Sequence, residues 1–84
     1  MELYERVENI KNREDLIKFI HHLRKDLQSN SAEWENITLE DYLEAMEAWI
    51  NDMDGYYLNN NQIPPEQPTW KNIADILIAS GMYE

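Results

Sequence analysis

The sequence predicts an all-α fold: a small three-helix domain with a short fourth element at its N-terminus. Apolar residues recur at i, i+3, i+4 and i+7 in three separate stretches, the spacing of one helical face. Each stretch is preceded by a residue that caps helix N-termini well: Asn12, Thr38 and Thr69. No stretch alternates apolar and polar with the period of a strand.

Residues 1–11 carry Leu3, Tyr4, Val7 and Ile10, the spacing of a short amphipathic helix or an arm laid on the core. Asn12 then caps the first long helix, with Asp15 at the third helical position in the place of a capping-box Glu. This helix is expected over about 13–28, with Leu16, Phe19, Ile20, Leu23 and Leu27 on its core face. Ser29, Asn30 and Ser31 end it, and residues 32–37 form a connection that carries Trp34.

Thr38 caps the second helix, expected over about 39–54. Leu39, Tyr42, Leu43, Met46, Trp49, Ile50 and Met53 are its expected inward stripe, and Gly55 its stop. Residues 56–69, with three consecutive Asn and three Pro, read as one long loop pinned by Tyr56, Tyr57, Leu58 and Ile63. Thr69 caps the last helix, about 70–80, with Gly81 at its end. Trp70, Ile73, Ala74 and Leu77 make its inward face, and Ile76 and Ile78 fall on the flanks. A helix apolar over that much of its circumference is either central to the core or covered by another chain.

Eighty-four residues make a single domain, 1–84. A chain of this size buries only about 60–65% of the surface its unfolded form exposes. There is no cysteine to staple the core, so the three Trp, five Tyr and one Phe must supply its bulk. The N-terminal MELYERVENIKNRED is charged throughout and holds no apolar signal region. No apolar run approaches the roughly 20 residues of a membrane span. A cytoplasmic protein is expected.

The net charge of −10 is unevenly placed. Residues 1–28 balance six acids with six bases; residues 29–84 hold eleven acids and one base, Lys71. That field repels phosphate backbones and anionic membranes, so neither nucleic acid nor membrane is an expected partner. It attracts a basic protein and speeds the encounter. Acidic surfaces also serve solubility alone, which is the plainer reading.

Glu40, Glu44, Glu47 and Asp54 run along one flank of the second helix beside its apolar stripe. Like charges at i, i+4 cost about 0.2–0.5 kcal/mol per pair, and no Lys or Arg relieves them between Glu33 and Trp70. A preference of helix N-termini for acids accounts for Glu40 but not for Glu47 or Asp54. The strip, flanked by Glu33, Glu35 and the loop residues Tyr56 and Tyr57, is the expected protein-binding site.

Catalytic and metal constellations are lacking. His22 and Asp26 stand one helical turn apart, but zinc needs three or four ligands. Asp52-Met53-Asp54-Gly55 resembles a piece of a calcium loop, yet its frame puts Ile50 at the first ligand position and Asn61 at the twelfth. Two glycines cannot build a phosphate loop. No enzyme activity, cofactor or metal is expected.

The run Trp34-Glu35-Asn36-Ile37-Thr38-Leu39-Glu40-Asp41-Tyr42-Leu43-Glu44-Ala45-Met46, then Trp49, resembles the centre of an uncharacterised family of small bacterial proteins. The tail resembles it too, through Trp70, Ala74, Leu77, Ala79 and Tyr83-Glu84. The likeness covers roughly residues 7–84 and implies bacterial origin, without an activity. A second resemblance is to the barstar-type acidic inhibitors of basic ribonucleases. There too a helix leads through a short aromatic-Glu-Asn segment into an acidic helix, here Asp15–Leu27, Trp34-Glu35-Asn36 and Leu39 onward. This sequence has no pattern for the parallel strands of that fold. The resemblance implies a manner of binding and carries over no inhibitory residue.

The expected function is therefore an acidic protein-binding module, in its specific form an inhibitor or immunity-like partner of a basic protein. The alternative is a homo-oligomeric structural protein, a homodimer joined through Ile76 and Ile78.

Overall fold

In the computed structural model four helices run in the order α1 (Leu3–Val7), α2 (Arg13–Asn30), α3 (Leu39–Asn59) and α4 (Trp70–Met82), with a 3-10 turn at Ser31–Glu33 between α2 and α3. The structure describes residues 3–82, without the side chain of Tyr4; Tyr83 and Glu84 lie outside the described residues. The fold is all-α, and the short fourth element is α1.

The predicted caps form. The Asn12 side chain accepts the Asp15 N–H (2.8 Å), and the Asp15 carboxylate accepts the Lys11 N–H (3.1 Å). Thr38 Oγ1 accepts the Asp41 N–H (3.1 Å), and Thr69 Oγ1 the Asn72 N–H (2.9 Å). The Asn12, Thr38 and Thr69 side chains each satisfy a donor that a helix start leaves orphaned.

The second helix does not stop at Gly55. It continues one turn, to Asn59, so the loop is residues 60–69 and Tyr56 and Tyr57 are helical. Glycine costs a helix interior about 1 kcal/mol relative to alanine, which packing can override. Here Tyr57 supplies that packing: it is 3% exposed. The true stop is the Asn tract. Asn61 has φ 59°, the left-handed conformation that asparagine tolerates. The Gln62 N–H donates to the Tyr57 carbonyl (2.8 Å) and the Asn61 N–H to the Leu58 carbonyl (3.1 Å), the paired bonds of a Schellman ending. Leu58 and Ile63 do not pin the loop, since both are exposed.

α4 is the central helix: α1, α2 and α3 each pack against it, while α2 and α3 do not pack against each other. This explains its broad apolar surface. Ala74 and Ile78 join Leu3, Val7, Ile10, Leu16, Phe19, Leu23 and Trp34 in one cluster, with Leu27, Tyr42, Ile73, Leu77 and Met82 at its margin. Ile78, expected on a flank and assigned to a dimer contact, is 3% exposed and belongs to the core; Ile76 is half-buried. Trp70, expected inward, is exposed.

The inward face of α3 is also rotated from expectation. Ala45, Trp49 and Tyr57 are buried, whereas Leu39 (72%), Leu43 (50%) and Ile50 (42%) are exposed. On α2, Leu16, Phe19 and Leu23 are buried as predicted, but Ile20 faces outward.

The end of α4 is held by the Trp34-Glu35-Asn36 segment. The N–H groups of Glu35 and Asn36 both donate to the Gly81 carbonyl (3.0 and 2.9 Å), and Asn36 Nδ2 donates to the Ser80 carbonyl (3.1 Å). These bonds satisfy carbonyls that the end of α4 leaves unpaired. Gly81 is therefore inside α4, not beyond it, and is buried under Trp34.

Candidate protein-binding face

Two features separate structural polar groups from available ones. The first is a buried network on α4. Tyr57 Oη donates to Asp75 Oδ2 (2.7 Å) and accepts from Asn72 Nδ2 (2.9 Å); Lys71 Nζ donates to the same Asp75 oxygen (3.2 Å). Lys71 also lies 3.8 Å from Glu8 on the exposed side. Asn72 and Asp75 are buried, and burial with the Asp75 contact pushes the Tyr57 phenol well above its ordinary value. Tyr42 is likewise raised by burial, and its Oη donates to the Leu77 carbonyl (2.7 Å). These bonds tie α3 to α4 in antiparallel register. Asn72 and Asp75 were not singled out by sequence reasoning. The signal was present: two polar residues at i, i+3 beside Ile73 and Ala74, opposite tyrosines that need partners when buried.

Tyr57 is thus an interior residue, not a loop anchor for a partner. Tyr56 is exposed but its ring packs 5.3 Å from that of Trp49, tilted by 58°, and both line a cleft of about 560 Å³ between α1, α3 and α4, on the flank of α3 away from the acidic strip. Glu8, Asp52 and Asp75 share its wall.

The second feature is the outer face. Glu40, Glu44, Glu47 and Asp54 are all exposed, and none is in an ion pair among the described residues. They stand at i, i+4, i+7 and i+14 and form one row. The exposed Leu39, Leu43 and Ile50 form the adjoining row, together with the half-buried Met46. Inward of these rows, a groove of about 320 Å³ opens between α2 and α3, walled by Leu23, Leu27, Trp34, Ile37, Leu39 and Tyr42. Arg24 forms its α2 edge. Glu33 and Glu35 are exposed beside Trp34, but their backbone belongs to the turn and clip that hold the end of α4. The structure thus brings the four α3 acids onto one surface with an apolar row, places Glu33 and Glu35 on the neighbouring connection, and removes Tyr57.

Asp26, paired with His22 in the sequence, is engaged elsewhere: it accepts the Trp34 indole N–H (2.7 Å) and the Asn30 amide (3.0 Å). Trp34 itself is buried. His22 is held below its ordinary pKa by partial burial first, then by Arg6 and His21. Asp52 to Gly55 are part of helical α3, so their backbone does not wrap an ion as a calcium loop does. Among the described residues no group of three His, Cys, Asp or Glu is placed to hold a metal, and no helix is long and apolar enough to cross a membrane.

No curated protein and no solved structure matches the chain. A sequence family does, over residues 12–84, which takes in α2, the Trp34-Glu35-Asn36 clip, α3 and α4. The chain belongs to the family of unknown function DUF7660.

Proposed function

We propose that the chain is a non-catalytic protein-binding module that docks a basic protein on the outer face of α3 and the groove beside it. The observation that carries this reading is the exposure of Leu39, Leu43 and Ile50 directly beside the Glu40, Glu44, Glu47 and Asp54 row. Apolar surface removed from water contributes roughly 25 cal/mol per Å², so the leucines supply affinity. The acids supply steering toward a partner that presents a basic surface. An apolar patch rimmed by charge is the usual mark of an interaction surface. Its specific form is an inhibitor or immunity-like protein of the bacterial cytoplasm that masks a basic target, the manner of binding that the barstar resemblance implies.

The test is affinity capture from the native host with the wild-type chain and with Glu44→Lys/Glu47→Lys, at low and high salt. A basic protein held at low salt, released at high salt and lost from the variant supports the reading. Capture of neither a basic protein nor a further copy of the chain, or capture of proteins indifferent to the variant, overturns it.

A further inference from the structure

The same face carries a second charged border, on α2. Arg13, Ile17, Ile20 and Arg24 stand at i, i+4, i+7 and i+11, and all four are exposed. Behind them, Glu14, Lys18, His21 and Lys25 form the next row outward, also exposed; Glu14 pairs with Arg13 at 3.7 Å, which leaves Lys18 and Lys25 as the bases of that row. α3 repeats this arrangement with the opposite sign. Its row at i, i+4, i+7 and i+11 is Leu39, Leu43, Met46 and Ile50, and the row behind it is acidic. Arg24 and Leu39 both line the groove, so the two bordered edges lie on the same side of the molecule. They do not neutralise one another within the chain. α2 and α3 do not pack together, and neither Lys18, Arg24 and Lys25 nor the four α3 acids enter an ion pair among the described residues.

We propose that this face is self-complementary, and that the basic surface it docks is α2 of a second copy of the chain. The proposal rests on the reading of the face as a protein-binding surface, and it names the partner. A two-fold axis through the groove lays the Ile17 and Ile20 edge of each copy on the Leu39 and Leu43 edge of the other. The same rotation sets the bases behind α2 against the acids behind α3, twice. Such an isologous contact closes on itself and yields a dimer rather than a filament. It also covers Ile17, Ile20, Leu39 and Leu43, exposed apolar residues that a lone monomer leaves in water. This dimer differs from one built on Ile76 and Ile78, because its surface lies on α2 and α3.

The experiment is sedimentation equilibrium over a range of concentrations at low and high salt, on three proteins. One is the wild type, one Arg24→Glu/Lys25→Glu, and one Glu44→Lys/Glu47→Lys. The substituted positions are exposed, and circular dichroism confirms that each variant is folded. The wild type is expected at twice the 10.1 kDa chain mass at low salt, and its dissociation constant is expected to rise at least tenfold at high salt. Each variant alone places like charges across the axis and is expected to be monomeric. An equimolar mixture of the two restores opposite charges at both contacts and is expected to dimerise as the wild type does. A wild type that stays monomeric, variants that dimerise alone, or a mixture that stays monomeric overturns the proposal. If the wild type is monomeric yet captures a basic protein that the Glu44→Lys/Glu47→Lys variant loses, the second copy falls and the protein-binding reading stands. If it neither dimerises nor captures such a protein, both fall.

Discussion

The indole of Trp34 lies so close to Gly81 that a Cβ at position 81 would stand 2.7 Å from both Cε3 and Cζ3 of the ring. The ring cannot easily withdraw, because its N–H is held by Asp26 at 2.7 Å. Gly81→Ala is therefore expected to destabilise the protein by about 1–3 kcal/mol, the usual cost of overpacking. Helix propensity alone predicts the opposite sign, a gain of about 1 kcal/mol. Gly55 is the internal control: it is helical, exposed, and has nothing within 4 Å of a built Cβ. Gly55→Ala is expected to stabilise by up to ~1 kcal/mol. Urea midpoints of the two variants should move in opposite directions; a shift in the same direction contradicts the Trp34 contact.

Asp26→Ala removes the acceptor of the indole N–H in a part-buried site. The expected loss is about 1–3 kcal/mol. The same change releases the ring, so Gly81→Ala should cost less in the Asp26→Ala background than in the wild type. A double-mutant cycle with a coupling of about 0.5 kcal/mol or more checks this, and strict additivity counts against it.

The helices, their caps and the fold class were legible because local spacing and capping chemistry determine them. The errors share a physical origin. Leu39, Leu43 and Ile50 are as apolar as Trp49, so periodicity alone placed the α3 stripe too far round the helix. What rotates it is the demand of Tyr42 and Tyr57 for partners on α4. Those partners are distant in sequence. Gly55 resembles a stop, but Asn61 can also adopt the left-handed conformation, and packing of Tyr57 decided between them. The acidic row was legible because charge needs no tertiary context. The apolar row beside it was hidden, since exposed leucines at helical spacing read as core. The Trp34-Glu35-Asn36 segment read as a plain connection, with Glu35 beside the acidic strip, and it caps α4.

Tyr57 gives a pH dependence whose sign is fixed. Its phenol is raised in the folded protein, by burial first and then by the bond to Asp75. Below the ordinary tyrosine value near ~10 the phenol is protonated in both states and its contribution is fully present. As pH rises through that value, the unfolded chain ionises while the fold keeps its proton, so stability falls. Tyr42 is shifted in the same direction. Urea unfolding from pH 8 to 11 should show this decline. Tyr57→Phe should be weaker at neutral pH by about 1–3 kcal/mol, because Asp75 and Asn72 lose a buried partner, and its alkaline decline should be shallower. An equal slope in both proteins contradicts the assignment.

The rotated register of α3 makes its own prediction, with stability and binding read separately. Leu39 and Leu43 are largely exposed, so Leu39→Gln/Leu43→Gln should alter stability by no more than about 0.5 kcal/mol per site, as surface changes do. Glutamine is nearly as good a helix former as leucine, so the backbone gives no reason for loss. Ala45 is buried on the true inward face, and Ala45→Leu should cost about 1–3 kcal/mol by overpacking. Had the stripe centred on Leu39 and Leu43 been the core face, these magnitudes would be reversed. Thermal unfolding of the two variants decides between the registers. Binding should follow the other order. Leu39→Gln/Leu43→Gln should abolish association through the outer face while the fold is intact, and a folded Ala45→Leu should retain it. A destabilised but binding-competent glutamine variant would return the two leucines to the core and remove the apolar half of the proposed surface.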